Sequence, residues 1–62
     1  MCGFITNSGT MYYLDSANRL FSGGKFKTPV TYISASVIIG CKAQIVLADR
    51  RVVTTSTVMR YF

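Results

Sequence analysis

The sequence contains no histidine, glutamate or tryptophan, and its acidic side chains are two aspartates, Asp15 and Asp49. These gaps remove most of the apparatus for making and breaking bonds. General acid–base catalysis needs a proton donor or acceptor poised near neutral pH. The chain offers neither an imidazole nor a paired carboxylate, so it is not expected to be an enzyme. Metal sites need clustered Cys, His or carboxylate ligands, and Cys2, Cys41, Asp15 and Asp49 are too few and too scattered. No metal and no cofactor is expected. Two cysteines allow at most one bridge, which excludes a disulfide-dense scaffold. No run approaches the roughly 18 apolar residues of a spanning helix. No basic stretch followed by an apolar run marks a secretory signal. The expected setting is therefore the cytoplasm, reducing and away from membranes, with Cys41 a small apolar side chain near a strand.

What is present favours strands. Val, Ile and Thr number 6, 5 and 7, and four Tyr and four Phe join them, against three Leu and four Ala. Branched and aromatic side chains suit a pleated surface, whereas the good helix formers are scarce. Sixty-two residues are too few to divide, so a single β domain over residues 1–62 is expected. A domain of about 60 residues buries only roughly 60% of its unfolded surface, and burial then barely offsets the entropy of ordering. Self-association or a lasting partner is the natural supplement, and a homo-oligomer is expected.

Turn residues divide the chain into short segments. Gly3 to Thr6 reads as a first strand, Asn7-Ser8-Gly9 as a turn and Thr10 to Leu14 as the returning strand. Asp15 to Asn18 forms a second turn before a short strand, Arg19 to Phe21. Ser22 to Pro29 reads as the main loop, with a Gly pair, two lysines and an exposed Phe26. Val30 to Ile39 resumes as a strand with Thr31, Ile33, Ala35, Val37 and Ile39 on its more apolar face, until Gly40 bends it. Ala43 to Ala48 follows with Ala43, Ile45 and Leu47 on one face. Asp49-Arg50 occupies a hairpin position where Asp-Gly is usual, so either Arg50 takes a positive φ at some cost or the loop is longer. Arg51 to Thr55 and Thr57 to Tyr61 end the chain. Five or six short strands in so few residues predict an all-β fold, a small SH3-like barrel or a strongly bent antiparallel sheet.

Several motifs touch on chemistry. Met1-Cys2-Gly3-Phe4 resembles the opening of class II glutamine amidotransferases, whose N-terminal Cys attacks glutamine. That fold needs a chain several times longer, with downstream glutamine-holding residues that have no place here. Ser22-Gly23-Gly24-Lys25 lacks the glycine spacing and the Ser or Thr of a phosphate loop. Thr54-Thr55-Ser56-Thr57 has hydroxyls but no base to activate them, and reads as a strand end, a bulge or an interface.

The basic set is Arg19, Lys25, Lys27, Lys42, Arg50, Arg51 and Arg60, giving a net charge of +5. Tyr12, Tyr13, Phe26, Tyr32 and Tyr61 are interleaved with it. Cations beside aromatic plates suit phosphates and stacked bases, although a small core claims aromatics first. Tyr12 and Tyr13 point to opposite sides of a strand, so one of them faces outward.

Two fragments, residues 7–15 (NSGTMYYLD) and residues 46–58 (VLADRRVVTTSTV), resemble the opening and the closing hairpin of small, mostly uncharacterised bacteriophage-encoded proteins. The related hairpin tends to carry Asp-Gly at Asp49-Arg50 and Pro at Thr57. The resemblance implies a phage origin and a small β fold, and transfers no functional residue. The lack of a catalytic set, the marginal core and this phage context together suggest a binding protein that blocks a host protein or nucleoprotein complex, such as a CRISPR or other defence assembly, through aromatic and Arg anchors. Non-sequence-specific nucleic-acid binding is the alternative, and a structural or assembly subunit a third reading. Lys25, Phe26, Lys27, Arg50, Arg51 and Arg60 are the candidate contact residues, with the Gly23–Pro29 loop and an exposed strand edge as the contact surface.

Overall fold

Alternating branched and aromatic residues, interrupted by turn formers, produce six strands and no helix in the computed structural model, which describes residues 2–62. In chain order they are β1 (Cys2–Thr6), β2 (Met11–Asp15), β3 (Leu20–Gly23), β4 (Phe26–Ser36), β5 (Lys42–Leu47) and β6 (Val52–Tyr61). Each is antiparallel to the next, and β6 returns to pair with β1, so the sheet closes into a six-stranded barrel. The fold is all-β and a closed barrel rather than an open bent sheet. Closure gives every strand two neighbours, so among the described residues no strand is a sheet edge along its whole length.

Turn chemistry sets the register. In the β1–β2 hairpin Gly9 N–H donates to the Thr6 carbonyl at 2.9 Å and Thr6 N–H to the Thr10 carbonyl at 3.0 Å. Gly9 adopts φ 84°. This is a three-residue loop with a left-handed residue closing it. The β5–β6 hairpin repeats the pattern. Arg50 N–H donates to Leu47 at 2.9 Å, Leu47 N–H donates to Arg51 at 2.8 Å, and Arg50 sits at φ 72°. Arg50 thus occupies the position that Gly9 fills in the first hairpin. Both sequence alternatives hold together: the loop is longer than two residues, and Arg50 still takes the positive φ.

The main loop expected at Ser22–Pro29 is instead a tight hairpin. Gly23 pairs with Phe26 across the two-residue turn Gly24-Lys25. Gly24 has φ 54° while Lys25 stays outside the left-handed region, the geometry of a II′ turn. Two consecutive glycines therefore signal a sharp reversal rather than flexibility, and Pro29 lies within β4.

β4 is long because it serves two neighbours. Its first half pairs with β3 and its second half with β5, with an irregularity between Tyr32 and Ser34. Before that irregularity the inward positions are Phe26, Val30 and Tyr32, opposite to the expected face, and after it the expected face turns inward at Val37. Tyr32 is the buried residue, and Ile33 and Ile39 are exposed. Ile38-Ile39-Gly40-Cys41 forms a turn rather than strand, with Gly40 at φ 90° and Cys41 N–H on the Ile38 carbonyl. Cys41 is exposed, not tucked against a strand.

Every strand sends residues inward. Phe4, Leu14, Phe21, Tyr32, Ile45, Leu47 and Val58 are buried together with Ala43. The face predicted for β5 is therefore the core face. Aromatic rings run across four strands: Phe4 on Tyr12 at 5.2 Å, Tyr12 on Phe21 at 5.6 Å, and Phe26 edge-on to Phe21 at 5.4 Å. Such pairs add about 0.5–1.5 kcal/mol each beyond burial.

The Gly pair is fitted to this stack. A Cβ on Gly23, at φ 107°, would collide with the Met11 carbonyl oxygen and lie 2.8 Å from Tyr12 Cα. One on Gly9 would meet nothing within 4 Å. Gly23→Ala should therefore destabilise by about 3 kcal/mol, combining overpacking with backbone strain. Gly9→Ala should cost only the left-handed penalty, about 1 kcal/mol. Urea midpoints of the two variants would test the difference, and equal losses would contradict the packing argument.

Candidate functional site

The six candidate contact residues fall on three elements. Lys25 tops the β3–β4 turn, and Phe26 and Lys27 begin β4. Arg50 and Arg51 belong to the β5–β6 turn, and Arg60 lies near the end of β6, paired with Ile5. Lys25, Lys27, Arg50, Arg51 and Arg60 are exposed, but Phe26 is half-buried. Its ring packs on the core against Phe21, which corrects the expectation of an exposed aromatic.

Register places two of these groups at one end of the barrel. Arg60 pairs with Ile5 and Ile5 with Met11, and Gly23, just before the β3–β4 turn, lies against Met11. Arg60 and Lys25 are therefore separated by β1 and β2, about 14 Å at normal strand spacing. Arg50 and Arg51 lie elsewhere, beside the middle of β4, where Ala48 N–H donates to the Thr31 carbonyl at 2.9 Å. A cleft of about 300 Å³ runs there between Pro29–Thr31 and the β5–β6 turn. The basic residues do not converge on one groove.

Both aspartates are engaged within their own turns. Asp15 Oδ2 accepts from the Asn18 side chain at 2.9 Å and Oδ1 from its backbone N–H at 3.3 Å. The Asn18 side chain is the main cause that holds the Asp15 carboxyl below its ordinary value of 3.8. Asp49 Oδ1 accepts from Arg51 N–H at 3.1 Å, and Oδ2 meets Arg51 Nε at 2.6 Å. The Arg51 backbone bond is the largest cause lowering Asp49, and the guanidinium adds to it. The Arg51–Asp49 contact is the one ion pair among the described residues. The other six cations therefore have no carboxylate partner there. Arg19, at φ 55°, directs Nη1 to the Ile33 carbonyl at 2.9 Å and so braces the bend of β4.

Two further features escaped sequence reasoning. One is an apolar cavity of about 360 Å³ at a barrel mouth, lined by Cys2, Gly3, Phe4, Leu14, Val37 and Tyr61. The Tyr61 hydroxyl donates to the Val37 carbonyl at 2.8 Å, and Phe62 packs edge-on to Tyr13. The neighbouring turn holds Ile38 and Ile39, joined by backbone bonds to Val58 beside Met59. Ile38, Ile39, Met59, Tyr61 and Phe62 are all at least half exposed. The consecutive isoleucines before Gly40 were the available signal. The other feature is an open polar cleft of about 530 Å³ lined by Asn7, Lys42 and Thr54 to Thr57. The hydroxyl run marked it, but Lys42 lies twelve positions before that run's start and is joined to it only by strand pairing.

Among the described residues there is no group of three or more His, Cys, Asp or Glu side chains placed to hold a metal ion. Among the same residues no helix is long and apolar enough to cross a membrane. The amidotransferase-like opening begins at Met1, outside the described residues, and Cys2 is exposed. No protein-family model, curated protein or solved structure matches the chain.

Both carboxyls are lowered in the folded state, so their stabilising contribution is present above their ordinary value and lost as pH falls through the lowered folded values. The melting temperature should hold from neutral pH down to about 4 and decline below it. Replacing both residues by Asn should remove most of that decline, and melting curves across the acid range would check it.

Proposed function

We propose that the chain is a small basic binding protein of phage type that blocks a host protein or nucleoprotein complex by steric contact. The observation that carries this reading is Arg50. A left-handed backbone costs an ordinary L-residue about 1–2 kcal/mol, and Gly9 avoids that cost in the matching hairpin. Arg19 bears the same cost but uses its side chain to brace Ile33. The exposed Arg50 side chain makes no hydrogen bond or ion pair among the described residues. Strain kept without an internal return is characteristic of a functional position, and an exposed guanidinium is a common binding anchor.

The exposed apolar side chains about the barrel mouth favour a protein partner, since patches of this type mark interaction surfaces. The sequence fragments that resemble phage proteins supply the bacterial host context. Nucleic-acid binding is the second reading, favoured by the six cations without a carboxylate partner. It is weakened because Tyr12, Phe26 and Tyr32 are engaged in the core rather than available for stacking.

Arg50→Gly separates folding from binding. It should raise stability by about 1 kcal/mol, or roughly 4–8 °C in melting temperature, while weakening capture of the partner about tenfold. Pull-down from host lysate, with and without nuclease, supplies the binding measurement. Recovery of nucleic acid without stoichiometric protein, together with steep salt dependence, would favour the second reading. A stabilised variant that binds at full strength would refute the role of Arg50.

A further inference from the structure

The polar cleft between the β1–β2 turn and the start of β5 has a chemistry that the proposed binding role does not use. Its walls follow from an irregularity in pairing. Lys42 is the cross-strand partner of Thr57 and Gln44 of Thr54, so β6 spends two residues, Thr55 and Ser56, opposite Ala43. The backbone bond that Ala43 N–H would make to β6 is replaced by a 3.1 Å bond to Thr55 Oγ1, which in turn donates to the Ser56 carbonyl at 2.7 Å. Thr55 is thus buried and fully committed. Asn7 is brought alongside by its own N–H, which donates to the Thr57 carbonyl at 2.8 Å.

The remaining polar groups of the cleft are uncommitted. The side chains of Asn7, Lys42, Thr54, Ser56 and Thr57 make no intramolecular hydrogen bond among the described residues. No carboxylate lines the cleft, and both aspartates are held in other turns. One ammonium, one amide and three hydroxyls therefore share a concave surface with no acidic partner. That set suits a compact anion with several acceptor oxygens.

We propose that this cleft is a phosphate site, taking inorganic phosphate or the terminal phosphate monoester of a small molecule. Lys42 supplies the charge, and Asn7, Thr54, Ser56 and Thr57 supply hydrogen-bond donors. A volume of about 530 Å³ accommodates such a group with part of its carrier. A single cation in a local hollow suits one terminal phosphate better than a polynucleotide backbone, which needs a row of cations. The site is independent of Arg50 and of the barrel mouth.

Amide NMR titration of the whole chain tests it. Inorganic phosphate and a 5′-mononucleotide should each give saturable shifts at Asn7, Lys42 and Thr54 to Thr57, with a dissociation constant in the millimolar range or tighter. Binding should strengthen as pH rises through about 6, where a phosphate monoester gains its second charge. Lys42→Gln should weaken binding at least tenfold, Lys42→Arg should retain most of it, and Thr54→Ala should weaken it less, each with the rest of the spectrum unmoved. Tighter binding of the nucleotide would identify a monoester as the occupant, and equal binding would identify free phosphate. Absence of saturation, shifts of equal size at Lys25, Arg50 and Arg60, or an unchanged titration in Lys42→Gln would overturn the proposal. Stronger shifts of the same residues by duplex DNA than by either probe would also overturn it. Loss of host-protein capture in Arg50→Gly leaves these readouts untouched, so the two proposals fail separately.

Discussion

The barrel depends on β6 pairing with β5 over its first half and β1 over its second. A strand cannot turn between two partners without giving up ladder bonds, and an unpaired buried N–H costs about 1–3 kcal/mol. Thr55 removes that cost by lending its hydroxyl to Ala43 N–H. Ala43 is wholly buried, so water cannot serve instead. With the register irregularities of the other strands, this bond lets the sheet close, and a chain of this size surrounds a core drawn from every strand. The same departure from regular pairing exposes Ser56 and Thr57 beside Lys42 and so creates the polar cleft.

The strand content and the β5 core face were legible because Ala43, Ile45 and Leu47 alternate without interruption. Turns built on local chemistry were legible as well, Asn7-Ser8-Gly9 above all. The bend at Gly40 and the bulge in the Thr54–Thr57 run were legible too, and what period-two reasoning misses is the facing within β4. In β4 period two assigns Ile33 and Ile39 to the apolar face, but the first half of the strand faces inward at Phe26, Val30 and Tyr32, and the turn at Gly40 draws Ile38 and Ile39 out of the strand. Gly23-Gly24 suggests looseness by composition, yet the close approach of Tyr12 makes the pair a tight fit. The burial of Phe26 is not legible in the sequence because its contact with Phe21 depends on that hairpin. Of the candidate contact set, the cations are exposed and Phe26 is partly in the core. Lys42 with the hydroxyl run was beyond reach, since only strand pairing unites residues so far apart.

Electrostatics and packing assign different tasks to different parts of the surface. The acidic side chains are spent on stiffening two turns, so the positive charge is balanced by almost nothing internal. An excess of this kind is a long-range attraction to any anionic partner and speeds encounter more than it tightens the final contact. Tightness must come from short-range complementarity, and the candidates for that are the apolar mouth and the strained Arg50 turn. These lie apart on the barrel, so a partner that engages both has to be broad rather than a narrow peptide.

Gly3 and Phe62 exchange both of their backbone hydrogen bonds, at 3.1 and 2.9 Å. Every other strand pairing joins sequence neighbours and can zip from its own hairpin. The meeting of these distant residues is the one step with a large loop-closure entropy, which places it late in assembly.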